Sequence, residues 1–170
     1  AVEARAPLGA AAARVLADTA RYRIRKHEAG NLLATASLLL ARGAPQGDLL
    51  LRVGFAALLN LLVYLLNDVC DVEADLATGA KDRGKTLFLR RHLSAALVAL
   101  AVLFAVLLGV GAWRSWVLVV ALVASATVVG AYSLWLKRVP VLDLILAAAG
   151  GFSMTLCGVR EADLRASLVL

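Results

Sequence analysis

The sequence predicts an all-α fold, a polytopic transmembrane helical bundle of about five spans plus the start of a sixth. Hydrophobic residues fill 62% of its 170 positions. The mean hydropathy is +0.83, and long apolar runs recur between short polar intervals. A bilayer solvates that much apolar surface, and a soluble domain of this size does not hide it.

Residues 1–28 form a basic arm. Arg5, Arg14, Asp18, Arg21 and Arg23 interrupt its apolar portion, so it lacks the continuous core of a signal peptide. Residues 9–26 read as an amphipathic helix lying on an anionic membrane surface. Residues 29–170 make up the transmembrane domain. Its first span, 29–43, offers only about fourteen apolar positions between Glu28 and Arg42, short enough to need tilt or a locally thinned bilayer. The second span is 49–67, the third 93–112 and the fourth 115–136. The fifth, 140–158, opens on Pro140, whose missing N–H costs nothing in a first helical turn. Gly150 and Gly151 lie inside it, where small residues permit close helix packing. A further helix begins near Leu164. Trp113, Trp116 and Trp135 fall at the predicted interfaces, where amphipathic rings are enriched. The chain starts without Met and stops within an apolar run, so a longer parent protein is expected.

Of the 18 Lys and Arg, thirteen share one side if five spans alternate across the membrane. Six are in the arm, five in 81–91 (Lys81, Arg83, Lys85, Arg90 and Arg91) and two at 137–138. Arg42, Arg52, Arg114, Arg160 and Arg165 occupy the other side. The positive-inside rule then makes the arm, 67–75 and 137–138 cytoplasmic, in what we expect to be a bacterial inner membrane. Topology thus accounts for the net charge of +6 without any nucleic-acid partner. Cys70 and Cys157 fall near opposite faces, out of disulfide reach. His27 and His92 stand alone, so neither zinc nor haem ligation is indicated.

The chemistry concentrates in Asn67-Asp68-Val69-Cys70-Asp71-Val72-Glu73-Ala74-Asp75, directly after the apolar run 49–66. On a helix, Asp68, Asp71 and Asp75 are spaced i, i+3, i+7, and Asn67, Asp71 and Asp75 i, i+4, i+8, so either set shares one face. Acceptors packed so closely repel unless a cation neutralises them. Oxygen-only ligands suit Mg²⁺ shared with substrate phosphates. Acids at the C-terminal end of a spanning helix also oppose its macrodipole, which argues for a ligand rather than a solvated cap. Two further elements converge on this side: the basic loop with Lys81, Arg83 and Lys85, and 132–143 with Tyr132 and Lys137. Lys and Arg can neutralise phosphate oxygens, and Tyr132 can donate a hydrogen bond to one. Together these groups suit the departure of pyrophosphate.

The pattern NDxxDxxxD at 67–75 followed by YSxxLK at 132–137 resembles the UbiA superfamily of intramembrane prenyltransferases, over most of the chain from about residue 29. Within it, Tyr132-Ser133-Leu134-Trp135-Leu136-Lys137 followed by Pro140, Val141 and Asp143 is most similar to the decaprenyl-phosphate phosphoribosyltransferase branch. The resemblance implies a nine-helix fold open laterally to lipid, of which this chain is the first part. It implies a Mg²⁺-dependent transfer of a prenyl or phosphoribosyl group from a diphosphate donor to a lipid or aromatic acceptor. By position, Asp68, Asp71 and Asp75 would hold the metal, Asn67, Asp75, Lys81, Arg83 and Lys85 the donor. Asp68, Asp71, Tyr132 and Lys137 would be the catalytic set. The sequence departs from the family pattern in three places. No second aspartate-rich cluster follows Asp75, 23–31 only partly echoes the usual basic stretch, and 81–86 lacks the usual Arg-Pro. The rival expectation is therefore a truncated, inactive relative that binds a polyprenyl lipid or serves a structural role. A transporter is disfavoured because no acid pairs occur at mid-membrane depth.

Overall fold

The computed structural model describes residues 7–26, 30–79, 82–133, 149, 151–153 and 155–168. Among these every regular element is helical. The helices are α1 (Leu8–Arg25), α2 (Gly30–Ala41), α3 (Gln46–Thr78), α4 (Arg83–Arg91), α5 (Leu93–Arg114), α6 (Trp116–Ala131) and α7 (Glu161–Leu168), with a 3₁₀ turn at Leu156–Gly158 before α7.

Local chemistry sets the helix ends. After α2, Gly43 adopts a left-handed φ of 59°. The Ala44 N–H returns to the Leu39 carbonyl, and that of Gly43 to Leu40. This pair of bonds satisfies carbonyls the helix leaves open, and Pro45 then opens α3. Gly79 ends α3 similarly, at φ 66° with its N–H on the Asp75 carbonyl. Asp82 starts α4 by accepting the Lys85 backbone N–H on its side chain at 3.0 Å.

Two of the helices, α3 and α5, are long and apolar enough to cross a membrane, while α2 and α6 are shorter apolar helices. At 1.5 Å per residue α2 covers only about 18 Å, short of a bilayer core of about 30 Å. The largest difference from expectation lies in α3. The predicted span ended at 67 and the segment with Lys81, Arg83 and Lys85 read as a basic loop, yet α3 continues to Thr78 and α4 occupies Arg83–Arg91. Hydropathy follows the bilayer, not the helix, so a helix that runs on past the lipid is invisible to it. The extension carries the last of the acidic residues, Asp75, about 12 Å along the helix axis beyond residue 67. The fourth predicted span, 115–136, is described only to 133, and Trp135, Pro140, Asp143 and Gly150 lie outside the described residues, as does much of the fifth span.

The core is continuous from one end to the other. Phe55, Leu59, Leu62 and Val63 of α3 pack with Leu103 and Leu107 of α5, Leu118 and Leu122 of α6, and Cys157. Nearer the acidic end, Val15 of α1 joins Leu65 and Val72 of α3, Leu89 of α4, and Ala96 and Ala99 of α5. The buried stripe Ala11, Val15, Thr19 on α1 has a spacing of four, so this helix presents one narrow face to the bundle, with Arg23 turned inward towards α3. Cys157 and Cys70 are both free thiols.

At the end away from the acidic motif, polar groups lock the helices together. Arg52 is only 4% exposed. Its Nε donates to both oxygens of Asp48, at 3.1 and 3.2 Å, and its Nη1 donates to the carbonyls of Val159 (2.8 Å) and Cys157 (3.3 Å). Glu161 accepts from Ser115 Oγ and from the Trp116 N–H, both at 3.0 Å, and so caps α6 from a distant segment. Arg160 pairs with Asp163 and also donates to the Arg42 carbonyl. Arg160 holds the Asp163 carboxyl below the usual carboxylate range, chiefly through its hydrogen bond.

Candidate active site

The continuation of α3 makes 67–75 a helical face rather than a frayed helix end. Asp68 is 2% exposed and Asp71 5%, while Asn67 and Asp75 are half-buried. A carboxylate this deep needs compensating charge. Two cations meet Asp68: its Oδ1 accepts from Arg23 Nη2 of α1 at 3.2 Å, and its Oδ2 accepts from Lys85 Nζ of α4. The cation that the crowded acids call for is thus supplied, at Asp68, by the protein itself.

Aromatic rings position both cations. The Arg23 guanidinium lies 4.0 Å from the centroid of Tyr64, one helical turn before Asp68. Lys85 Nζ lies 4.6 Å from the ring of Tyr22. Both distances are within cation–π range. Three residues of this cluster, Tyr22, Arg23 and Tyr64, were not among the candidates read from the sequence. Tyr64 could have been found as the i−4 neighbour of Asp68. Arg23 and Tyr22 could not, because nothing in their spacing indicates a contact 45 residues away.

The second sequence motif meets the first through a residue that was not singled out. Ser133 Oγ donates to Asn67 Oδ1 at 3.1 Å, joining the end of α6 to the acidic face of α3. The chain widens into a π turn at Tyr132 and Ser133, a local geometry often found at functional sites. Tyr132 is half-buried there. Arg83 is exposed at the first position of α4. Lys81 and Lys137 lie outside the described residues.

Beside this cluster, α1 and the start of α4 enclose a cleft of about 210 Å³. Arg14, Arg21, Arg25 and Lys85 line it, against Asp18 and Asp82. Lys85 therefore faces both the cleft and Asp68. Among the described residues no group of three His, Cys, Asp or Glu side chains converges closely enough to hold a metal ion alone. What the arrangement offers is an oxygen-rich helix face, two cations seated on it, and a basic cleft alongside.

Residues 31–159 match the model of the UbiA prenyltransferase family. The match takes in α2 through α6, both motifs, Lys85 and the 3₁₀ turn, and leaves α1 with Arg23 outside. The chain has no match among curated proteins or among solved structures. An all-helical bundle with apolar helices, matched over more than two thirds of its length and carrying its acidic residues in the last turns of α3, makes this chain an integral membrane protein belonging to the UbiA prenyltransferase family.

Proposed function

We propose that this chain carries the donor-binding face of a Mg²⁺-dependent membrane transferase, which moves a prenyl or phosphoribosyl group from a diphosphate donor to a lipid or aromatic acceptor and releases pyrophosphate. The observation that carries this reading is the Ser133–Asn67 bond, which brings the two family motifs into contact beside a buried carboxylate flanked by two cations.

The donor chemistry fits Mg²⁺. Asn67, Asp71 and Asp75 present hard oxygen atoms along one face of an unbroken helix. Mg²⁺ commonly takes one or two carboxylates and fills its shell with water and substrate phosphate. Asn67, Asp71 and Asp75 would hold the ion, with Asp68 joining as its own cations turn to the substrate. When bound, the ion supplies charge neutralisation for the diphosphate. Lys85 and Arg23, already desolvated, take up negative charge that grows on the leaving pyrophosphate as the C–O bond breaks. Lys81, Arg83 and Lys137 add to this field, and the Tyr132 hydroxyl donates to a phosphate oxygen. The acceptor then attacks the electron-poor carbon. The basic arm and acidic face are cytoplasmic in this reading, as the charge asymmetry requires, and the apolar helices receive the isoprenoid.

A second reading, a lipid-binding member without turnover, draws on the same cluster, because Asp68 is already neutralised by Arg23 and Lys85. Pyrophosphate release separates the two. Farnesyl, geranylgeranyl and phosphoribosyl diphosphate are supplied in turn with Mg²⁺, and the productive donor identifies the branch. Asp68→Ala and Asp71→Ala should each lower release by about 100-fold or more, the scale seen when a group stabilising transition-state charge is removed. Release unaffected in both variants would sink the metal and donor assignment. No release with any donor, together with retained lipid binding, favours the second reading.

A further inference from the structure

We propose that the cleft between α1 and α4 is a phosphate-binding site, and that its occupation draws Lys85 away from Asp68. The phosphate belongs either to a soluble phosphate ester or to an anionic lipid headgroup.

Charge in the cleft is unbalanced. Arg14, Arg21, Arg25 and Lys85 face only Asp18 and Asp82, and both acids are engaged. Asp18 pairs with Arg14 at 3.6 Å, and Asp82 caps α4. Arg21 and Arg25 have no hydrogen-bond or ion-pair partner among the described residues. They stand one helical turn apart on α1, where like charges repel, and an anion between them relieves that repulsion. The nine residues of α4 direct the positive end of their dipole into the same space, since Asp82, Gly84 and Lys85 form its wall. With an open volume of about 210 Å³, the cleft accommodates a phosphoryl group with water. Leu8 and Ile24 on α1 and Leu87 on α4 are exposed apolar side chains on the same two helices.

Lys85 connects this cleft to Asp68. Its side chain is 11% exposed, it pairs with Asp68 Oδ2, and it lies against Tyr22, which also lines the cleft. An ammonium group has three donors, so a phosphate in the cleft competes with Asp68 for it. Arg23 keeps Asp68 Oδ1, while the bond from Lys85 to Oδ2 is given up. Anion binding on one side of Lys85 and its bond to Asp68 on the other are therefore linked, and the linkage is reciprocal. Because α1 lies outside the family match, the device is built partly from this chain's own arm. The binding claim stands apart from the transferase reading.

The test is made on the whole chain in phosphatidylcholine nanodiscs with EDTA, titrating inorganic pyrophosphate and following binding by calorimetry. Saturable binding is expected. It should weaken by at least tenfold in Arg21→Gln/Arg25→Gln and stay within about threefold of wild type in Arg21→Lys/Arg25→Lys. Asp68→Asn, which frees Lys85, should bind pyrophosphate about fivefold more tightly. Adding phosphatidylglycerol to the nanodiscs separates the sources. Competition with pyrophosphate and co-purification of phosphatidylglycerol identify a headgroup site, and unchanged pyrophosphate binding identifies a soluble ester. Equal binding by wild type and the Gln double variant overturns the site, as does equal loss in the Gln and Lys variants. Unchanged or weaker binding by Asp68→Asn overturns the coupling. Turnover enters none of these readouts, so the failure of either proposal leaves the other standing.

Discussion

The two ends of the bundle each bury a charged side chain, and they hold it in different ways. Arg52 is tied to Asp48 of its own helix and to two backbone carbonyls next to the 3₁₀ turn. Asp68 is held by the ends of two long side chains, from α1 and α4. Carbonyls cannot leave without unfolding the turn that presents them, whereas Arg23 and Lys85 can change rotamer in place. A buried charge fastened to backbone is architecture. One fastened by side chains can be released to a ligand, which is what a binding site needs.

The comparison is most exposed to failure at Arg52. Arg52→Met should lower stability by about 3–5 kcal/mol, because Asp48 is left buried without its main partner. Turnover per folded molecule should persist. A thermal melt in detergent within 1 °C of wild type would remove the architectural role. Asp68→Asn should behave in the opposite way. Its release rate falls by about 100-fold, while its stability falls by only about 1–2 kcal/mol, since Lys85 and Arg23 are long side chains whose charged ends can turn to water. A large stability loss with intact turnover would put Asp68 in the same class as Arg52.

Ser133→Ala removes the bond between the two motifs. We expect a loss of about 0.5–1.5 kcal/mol and a measurable fall in the release rate. An unchanged rate would mean that the contact only packs α6 against α3. The smallest effect belongs to the half-buried pair of Arg160 and Asp163. Folding lowers the Asp163 pKa, so its contribution is present above the unfolded carboxylate value of about 3.9. That contribution disappears as pH falls through the lower folded value. The melting difference between wild type and Asp163→Asn should be flat above about pH 5 and should vanish in stronger acid. A difference that grows on acidification would contradict this sign.

Much of this architecture is legible in the residues. The run 93–112 predicts α5 to within two residues at its far end, and Gly43 and Pro45 mark the α2–α3 turn. The extension of α3 was legible in principle. The buried face that includes Leu65 continues as far as Val72, and Asp82 followed by Lys85 outlines a capped helix. A hydropathy window averages these signals away once polar residues dominate. The shared face of Asn67, Asp71 and Asp75 follows from helical spacing alone. The partners of that face do not. Arg23, Lys85 and Ser133 lie 45, 17 and 66 positions from the residues they bond.

The sequence by itself determined the class of environment, the position of the acidic face and the family, because hydropathy and helical period act over a few turns and need no partner. Only the tertiary structure decided that Asp68 is neutralised by Arg23 and Lys85, that Ser133 joins the two motifs, and that α1 encloses a basic cleft beside them. These contacts depend on how the helices cross. Crossing is set by the whole packed interface, down to Gly111, where a Cβ would meet Val119 Cγ2 at 3.1 Å, and Gly158, where one would meet Leu38 Cδ2 at 3.0 Å. No local pattern encodes the sum of such contacts.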